Sequence, residues 1–242
     1  FGTTDEHRGF RCYTSKDLVN WNQQRFAFEA RQENWSSPPY WAPEVKYYQG
    51  RFYMTYSARD RKSGRLLTAL AVSDQPEGPY KDLYAPLFDQ GYGAIDCHIF
   101  VDDNGQPYVF FSRNGGNAGY SFGIIYGAPL KTDLSGLAAE PRLLMEATQK
   151  WERIHYDKNR CNEGPFVVKV RGVYYMTYSA NHTFRSGYGI GYATAEHPLG
   201  PWTKSPHNPI ASTDLEMGYS GAGHNSITKS PDGSEWFIVY HT

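Results

Sequence analysis

Chemistry in this chain can be carried by a small set of residues. They are Trp41 with Glu44, Asp96, Glu163 and His224. Together they amount to two or three carboxylates, an indole and an imidazole. Such a set suits acid–base catalysis on an uncharged polar substrate, and a Trp face suits a sugar ring. Glu163 stands in Cys161-Asn162-Glu163-Gly164-Pro165-Phe166, just before an apolar run to Val170. Gly and Pro fix a tight backbone path. The carboxylate is therefore expected at the end of a strand, not in its middle. Each residue also has a plainer reading: Glu163 on a surface loop, Asp96 in a turn, Trp41 as packing, His224 in a core and Glu44 as structural.

These residues are far apart in the sequence, and only a repeated architecture would gather them. Tyr53-Met54-Thr55-Tyr56-Ser57-Ala58 recurs unchanged at Tyr175–Ala180, 122 residues on. Asp74-Gln75-Pro76-Glu77-Gly78-Pro79-Tyr80 matches Glu196-His197-Pro198-Leu199-Gly200-Pro201-Trp202 at the same offset. Two segments in one register point to a true internal repeat. The successive steps Trp41 to Asp96, Asp96 to Glu163 and Glu163 to His224 are 55, 67 and 61 residues, so the unit is about 60 residues.

The best copy predicts strands at Phe166–Val170, Val173–Ser179 and Gly187–Ala195, with a short fourth near Trp202. Its second strand is expected to alternate between buried and exposed. A first, partial copy begins with a strand end at Gly2-Thr3-Thr4, then Gly9–Ser15 and Asp17–Trp21. The second runs from Trp41 to about Leu83, and the third from Ile95 to about Leu137 with a hairpin turn at Asp102-Asp103-Asn104-Gly105. The fifth opens at Gly223-His224 and turns at Ser230–Gly233. Tandem four-stranded units predict an all-β, five-bladed β-propeller with incomplete first and last blades, residues 1–242 forming one domain. Tyr47, Tyr48 and Phe52 are expected in its core. Residues 140–159 form the least regular loop, a candidate cover for the site, and Asn181-His182-Thr183 a candidate subsite loop. No long helix is expected.

Composition excludes other classes. The 242 residues are 16% aromatic, including 20 Tyr and 6 Trp, at a net charge of -1. No basic patch suggests nucleic acid, and no apolar run is long enough for a bilayer. Cys12, Cys97 and Cys161 lack metal-ligand spacing and read as buried thiols; a Cys97–Cys161 pair is conceivable but not predicted. Both ends read as cut strands, so the expectation is a fragment, and the lack of a leader says nothing of export.

The motifs Trp41-Ala42-Pro43-Glu44-Val45, Ile95-Asp96, Glu163-Gly164-Pro165-Phe166 and Gly223-His224-Asn225-Ser226, in that order, resemble glycoside hydrolase family 43. The resemblance implies a five-bladed propeller and an inverting glycosidase acting on arabinose- or xylose-containing carbohydrate. It implies Glu163 as general acid, Asp96 as the aspartate that tunes and orients it, and Trp41 in the substrate pocket. It also implies His224 on the axis, beside a calcium ion in many members, with no cofactor needed for the chemistry. Calcium prefers many oxygen ligands, which His224 alone does not offer. The family's general base precedes this sequence; Asp5 and Asp17 fall downstream of its position. Cys97 stands where many members carry Pro. An extracellular or periplasmic location is compatible with such a substrate. Two alternatives stay open: a non-catalytic carbohydrate-binding propeller, and a retaining five-bladed fructan hydrolase.

Overall fold

The computed structural model describes residues 1–31, 35–115, 123–154 and 161–242. The chain divides into two compact units, Phe1–Ile99 and Phe100–Thr242. Strands dominate both. The helical element among the described residues is one 3₁₀ turn, Lys150–Arg153. Among the described residues no helix is long and apolar enough to cross a membrane.

The strands are β1 Gly9–Ser15, β2 Trp21–Glu29, β3 Ser36–Tyr48, β4 Arg51–Asp60, β5 Leu66–Ser73, β6 Lys81–Tyr84, β7 Gly93–Val101 and β8 Pro107–Asn114. They continue with β9 Ile124–Pro129, β10 Arg142–Met145, β11 Asn162–Val170, β12 Val173–Ala180, β13 Gly189–Ala195, β14 Thr203–Lys204, β15 Gly223–Lys229 and β16 Trp236–His241. Neighbours in sequence pair as antiparallel meanders. The sheets run β1-β2, β3-β4-β5-β6, β7-β8-β9-β10, β11-β12-β13-β14 and β15-β16.

The best copy is predicted closely, with two adjustments. β11 begins at Asn162, so Glu163 lies inside the strand, beside a register shift between Glu163 and Phe166. β12 alternates only over its first half and is buried on both faces from Met176 to Ala180. The reason is packing from two sides. Met176 and Tyr178 join an apolar cluster with Phe110, Ile125 and Val167. On the other face, Ser179 accepts from the His224 N–H (2.7 Å) and Thr177 accepts from Asn225 Nδ2 (2.8 Å).

The first repeat copy does the same work in its own unit. Met54 and Tyr56 pack with Phe10 and Phe28. Ser57 accepts from the Asp96 N–H (3.1 Å), and Thr55 Oγ1 donates to the Cys97 carbonyl (2.5 Å). The recurring hexapeptide is thus a two-faced strand. Its Met and Tyr fill the core, while its Thr and Ser seat the first strand of the next sheet. Burying those hydroxyls is tolerable because each is hydrogen-bonded.

Other expectations need correction. Gly2-Thr3-Thr4 is not a strand end. Thr3 Oγ1 accepts from the Ala42 N–H and Thr4 Oγ1 from the Arg11 N–H, so the segment is pinned by side chains. Asp17 shapes the β1–β2 turn by accepting from the Val19 and Asn20 N–H groups, and β2 then follows as a full strand. Tyr47 is 59% exposed, packing on Phe52 at a ring distance of 4.9 Å on the outside of its sheet. The Asp102–Gly105 hairpin turn is present, closed by the Gly105 N–H on the Asp102 carbonyl. The three cysteines are buried thiols. The candidate loop 140–159 contains β10 and the 3₁₀ turn; positions 155–159 lie outside the described residues.

Candidate functional site

The first strands of four sheets share a local irregularity at the positions singled out above. Ala42, Asp96, Gly164 and His224 all have positive φ: 51°, 58°, 55° and 45°. Register shifts accompany three of them, between Trp41 and Glu44, Glu163 and Phe166, and Gly223 and Ser226. A bulge of this kind re-aims the side chains beside it. The left-handed conformation costs a non-glycine residue about 1–3 kcal/mol, so it persists only where surroundings hold it. At Asp96 and His224 the holder is visible: the N–H is bound by Ser57 and Ser179 respectively. Trp41 and Glu163 stand one residue before the turned position, whereas Asp96 and His224 occupy it. The residues read as equivalent from the 55–67 spacing therefore fall into two classes.

In the first unit, Trp41 lies on β3 and its indole N–H donates to Glu6 Oε2 (3.1 Å). Glu44, on the same strand, reaches His98 Nδ1 on β7 at 2.5 Å, with the imidazole almost fully buried. Glu44 is accordingly a structural partner, fixing β3 against β7. Asp96 is 8% exposed. Cys97 beside it is buried, and burial pushes its thiol pKa well up, leaving a neutral thiol and not a nucleophile.

In the second unit, Glu163 is half-buried on β11, and Glu163 Oε1 accepts from the Tyr188 hydroxyl at 2.8 Å. Tyr188 is 1% exposed. Its ring packs against Gly223, where an added Cβ would fall 1.8 Å from Cε1. The ring also stacks on His241 at 5.7 Å and 19°. The His224 ring sits over Gly164, 3.3 Å from where a Cβ would be. Desolvation lowers the His241 pKa, and the neighbouring His224 lowers it further. Glu163, Tyr188, His224 and His241 thus form one cluster on β11, β15, β16 and the β12–β13 loop.

A second buried network supports the start of β11. Glu152, fully buried, accepts from the Thr148 and Gln149 N–H groups (2.6 and 2.7 Å), the Tyr178 hydroxyl (2.8 Å) and Lys204 Nζ (2.5 Å). Lys204 also donates to Asn162 Oδ1 at 2.9 Å, one residue before Glu163. Desolvation lowers the Lys204 pKa, while Glu152 opposes the shift. The Asn181 side chain, expected to shape a subsite, is buried. It donates to the Trp151 and Gly187 carbonyls and accepts from the Ile154 N–H.

Tyr188, His98, Glu152 and Lys204 were not singled out from the sequence. Tyr188 stands in Ser186-Gly187-Tyr188-Gly189, which reads as an ordinary turn into a strand. His98 lies two residues after Asp96, the strand spacing for a shared face, and that was the one available signal. Among the described residues, no group of three or more His, Cys, Asp or Glu side chains is placed to hold a metal ion. Near His224 the described residues of the second unit offer two imidazoles and the single carboxylate of Glu163, fewer oxygens than calcium favours.

Comparison with known proteins gives these groups their context. The family model for glycosyl hydrolases family 43 matches residues 1–242. The chain is 28% identical to a β-D-galactofuranosidase, XynD, of Aspergillus niger, over 98% of this chain and 66% of that protein. It is 29% identical to an α-L-arabinofuranosidase of Humicola insolens, over 94% of this chain and 46% of that protein. Other relatives bear the names xylan 1,3-β-xylosidase and β-xylosidase. The chain spans 42–66% of the length of the first curated relatives it matches. A solved thermostable family-43 glycoside hydrolase superposes with a TM-score of 0.92 at 47% identity, covering 97% of this chain and 76% of that one. The fold class is that family's five-bladed β-propeller, with β1–β2 and β15–β16 as its incomplete blades. With a family model matching from end to end and a solved relative sharing nearly half its residues, the chain belongs to glycosyl hydrolases family 43.

Proposed function

We propose that the whole protein hydrolyses glycosidic bonds in arabinose- or xylose-containing carbohydrate, with inversion, and that residues 1–242 act as one catalytic domain. Glu163 is the general acid that protonates the leaving oxygen. Asp96 tunes and orients it: a second carboxylate nearby disfavours ionisation of the first and keeps the acid protonated near neutral pH. Trp41 offers an apolar face to a sugar ring. The general base is assigned to no residue of this sequence, and a calcium ion beside His224 is a structural proposal outside the chemistry. An inverting pair of carboxyl groups stands about 6.5–9.5 Å apart, so that water fits between base and sugar.

The observation that carries this is the placement of Glu163 at a bulged strand start, half-buried, with one carboxylate oxygen held by a buried phenol. A surface glutamate on a loop would have neither feature. Family membership and the names of relatives support the substrate class.

The test is the anomeric configuration of the first-formed product. Incubation with arabino- and xylo-oligosaccharides, followed by proton NMR, is expected to show the anomer opposite to that of the substrate. First-formed product of retained configuration would overturn inversion and favour a nucleophilic carboxylate. No hydrolysis of any glycoside in the panel, with binding intact, would favour a carbohydrate-binding propeller.

A further inference from the structure

We propose that Tyr188 is a positioning residue for the acid: its phenol holds Glu163 Oε1, so that the catalytic proton is carried on Oε2. This rests on the assignment of Glu163 as general acid. The hydroxyl donates to Oε1 at 2.8 Å. A carboxylic acid has one proton and two oxygens. The oxygen that already accepts from a phenol is the better carbonyl-type acceptor, and the proton then resides on the other. With one oxygen fixed, rotation of the carboxyl about its terminal torsion, otherwise broad, is restricted. Proton delivery to a glycosidic oxygen needs that alignment within a few tenths of an ångström.

Tyr188 is itself held. It is 1% exposed, lies against Gly223 and stacks on His241. Its N–H donates to the Arg185 carbonyl at 3.0 Å, which fixes the loop entering β13. Gly223 has a specific reason to be glycine, because any side chain there would occupy the space of the Tyr188 ring. The neighbouring titratable groups on β15 and β16 are His241, stacked on the ring, and His224, which acts on His241 and follows Gly223 in the chain. The loop between β12 and β13 thus joins the machinery through the Tyr188 hydroxyl.

The experiment compares wild type, Tyr188→Phe and Glu163→Gln in the whole protein on an unactivated arabino- or xylo-oligosaccharide. Phe keeps the ring on Gly223, so the melting temperature reports whether packing is intact. The expected result for Tyr188→Phe is a fall in kcat of about tenfold or more with KM nearly unchanged, since the lost contact acts on the reacting proton. The basic limb of the kcat–pH profile is expected to move up by about one unit, because a donor that favours the charged carboxylate has been removed. A Tyr188→Phe enzyme with unchanged kcat and basic limb, beside an inactive Glu163→Gln, overturns the inference and leaves the acid assignment standing. Normal turnover by Glu163→Gln overturns the acid assignment itself. As a second variant, Gly223→Ala keeps the hydroxyl but displaces the ring that carries it, and is expected to show the same loss of kcat; unchanged kcat there would contradict the proposed alignment.

Discussion

Replacing Lys204 by Met tests how the start of β11 is held. Lys204 is the cation within reach of Glu152 in the described network, and the two side chains are 10% and 0% exposed. The substitution keeps most of the aliphatic stem and removes the charge. Glu152 then retains its two backbone N–H donors and the Tyr178 hydroxyl, with an uncompensated charge in a buried site. Breaking a buried pair in this way costs about 3–5 kcal/mol. In a chain of this size each kcal/mol moves Tm by about 2–4 °C, so the fall is roughly 6–20 °C. Asn162 also loses a donor at 2.9 Å, beside Glu163. Activity is therefore expected to drop several-fold even at temperatures where the variant is folded. Urea unfolding followed by tryptophan fluorescence gives the stability, and the double variant Lys204→Met/Glu152→Gln gives the coupling. The double variant is expected to recover at least about 1 kcal/mol relative to Lys204→Met alone, because the buried charge is gone. A loss below about 1 kcal/mol for Lys204→Met, or no recovery in the double variant, would refute the reasoning.

Further outcomes follow from the same structure. Ser179→Ala is expected to cost about 1–3 kcal/mol by leaving the N–H of His224 unsatisfied at a left-handed position, and Ser57→Ala the same at Asp96, both measured by chemical denaturation. The His241 pKa is depressed in the folded protein, so the unfolded chain binds more protons between the folded value and 6.5. Stability is expected to be fully present above about pH 6.5 and to decline as pH falls through the folded value. His241→Phe should flatten that slope while keeping the stack on Tyr188. Calcium, bound largely through water beside His224, is expected to raise Tm only at millimolar concentration, checked by titration against a chelator-treated sample.

Much of the architecture was legible because the repeat is exact at Tyr53–Ala58 and Tyr175–Ala180, and because Gly-Pro and Asp-Asn-Gly mark the turns. The limits have physical causes. Alternation is a rule for strands with one wet face, and β12 has none beyond its first turns. The run Gly2–Thr4 has strand-like residues but spends its hydroxyls on backbone N–H groups instead of pairing. Tyr47 reads as core by type, yet sheets expose half their residues, and aromatic ones among them. Glu163, Asp96, His224 and Trp41 are singled out by type and spacing, and each stands at or one residue before a positive-φ position. Tyr188, His98 and Lys204 act through long-range partners that no local pattern encodes, 25 to 54 residues away.

The central claim, that Glu163 supplies the proton to the leaving oxygen, is tested most directly by the turnover of Glu163→Gln in the whole protein on an unactivated glycoside. Loss of general acid catalysis predicts a fall in kcat of about 10²–10⁴-fold with Tm essentially unchanged. Near-normal turnover by that variant would contradict it.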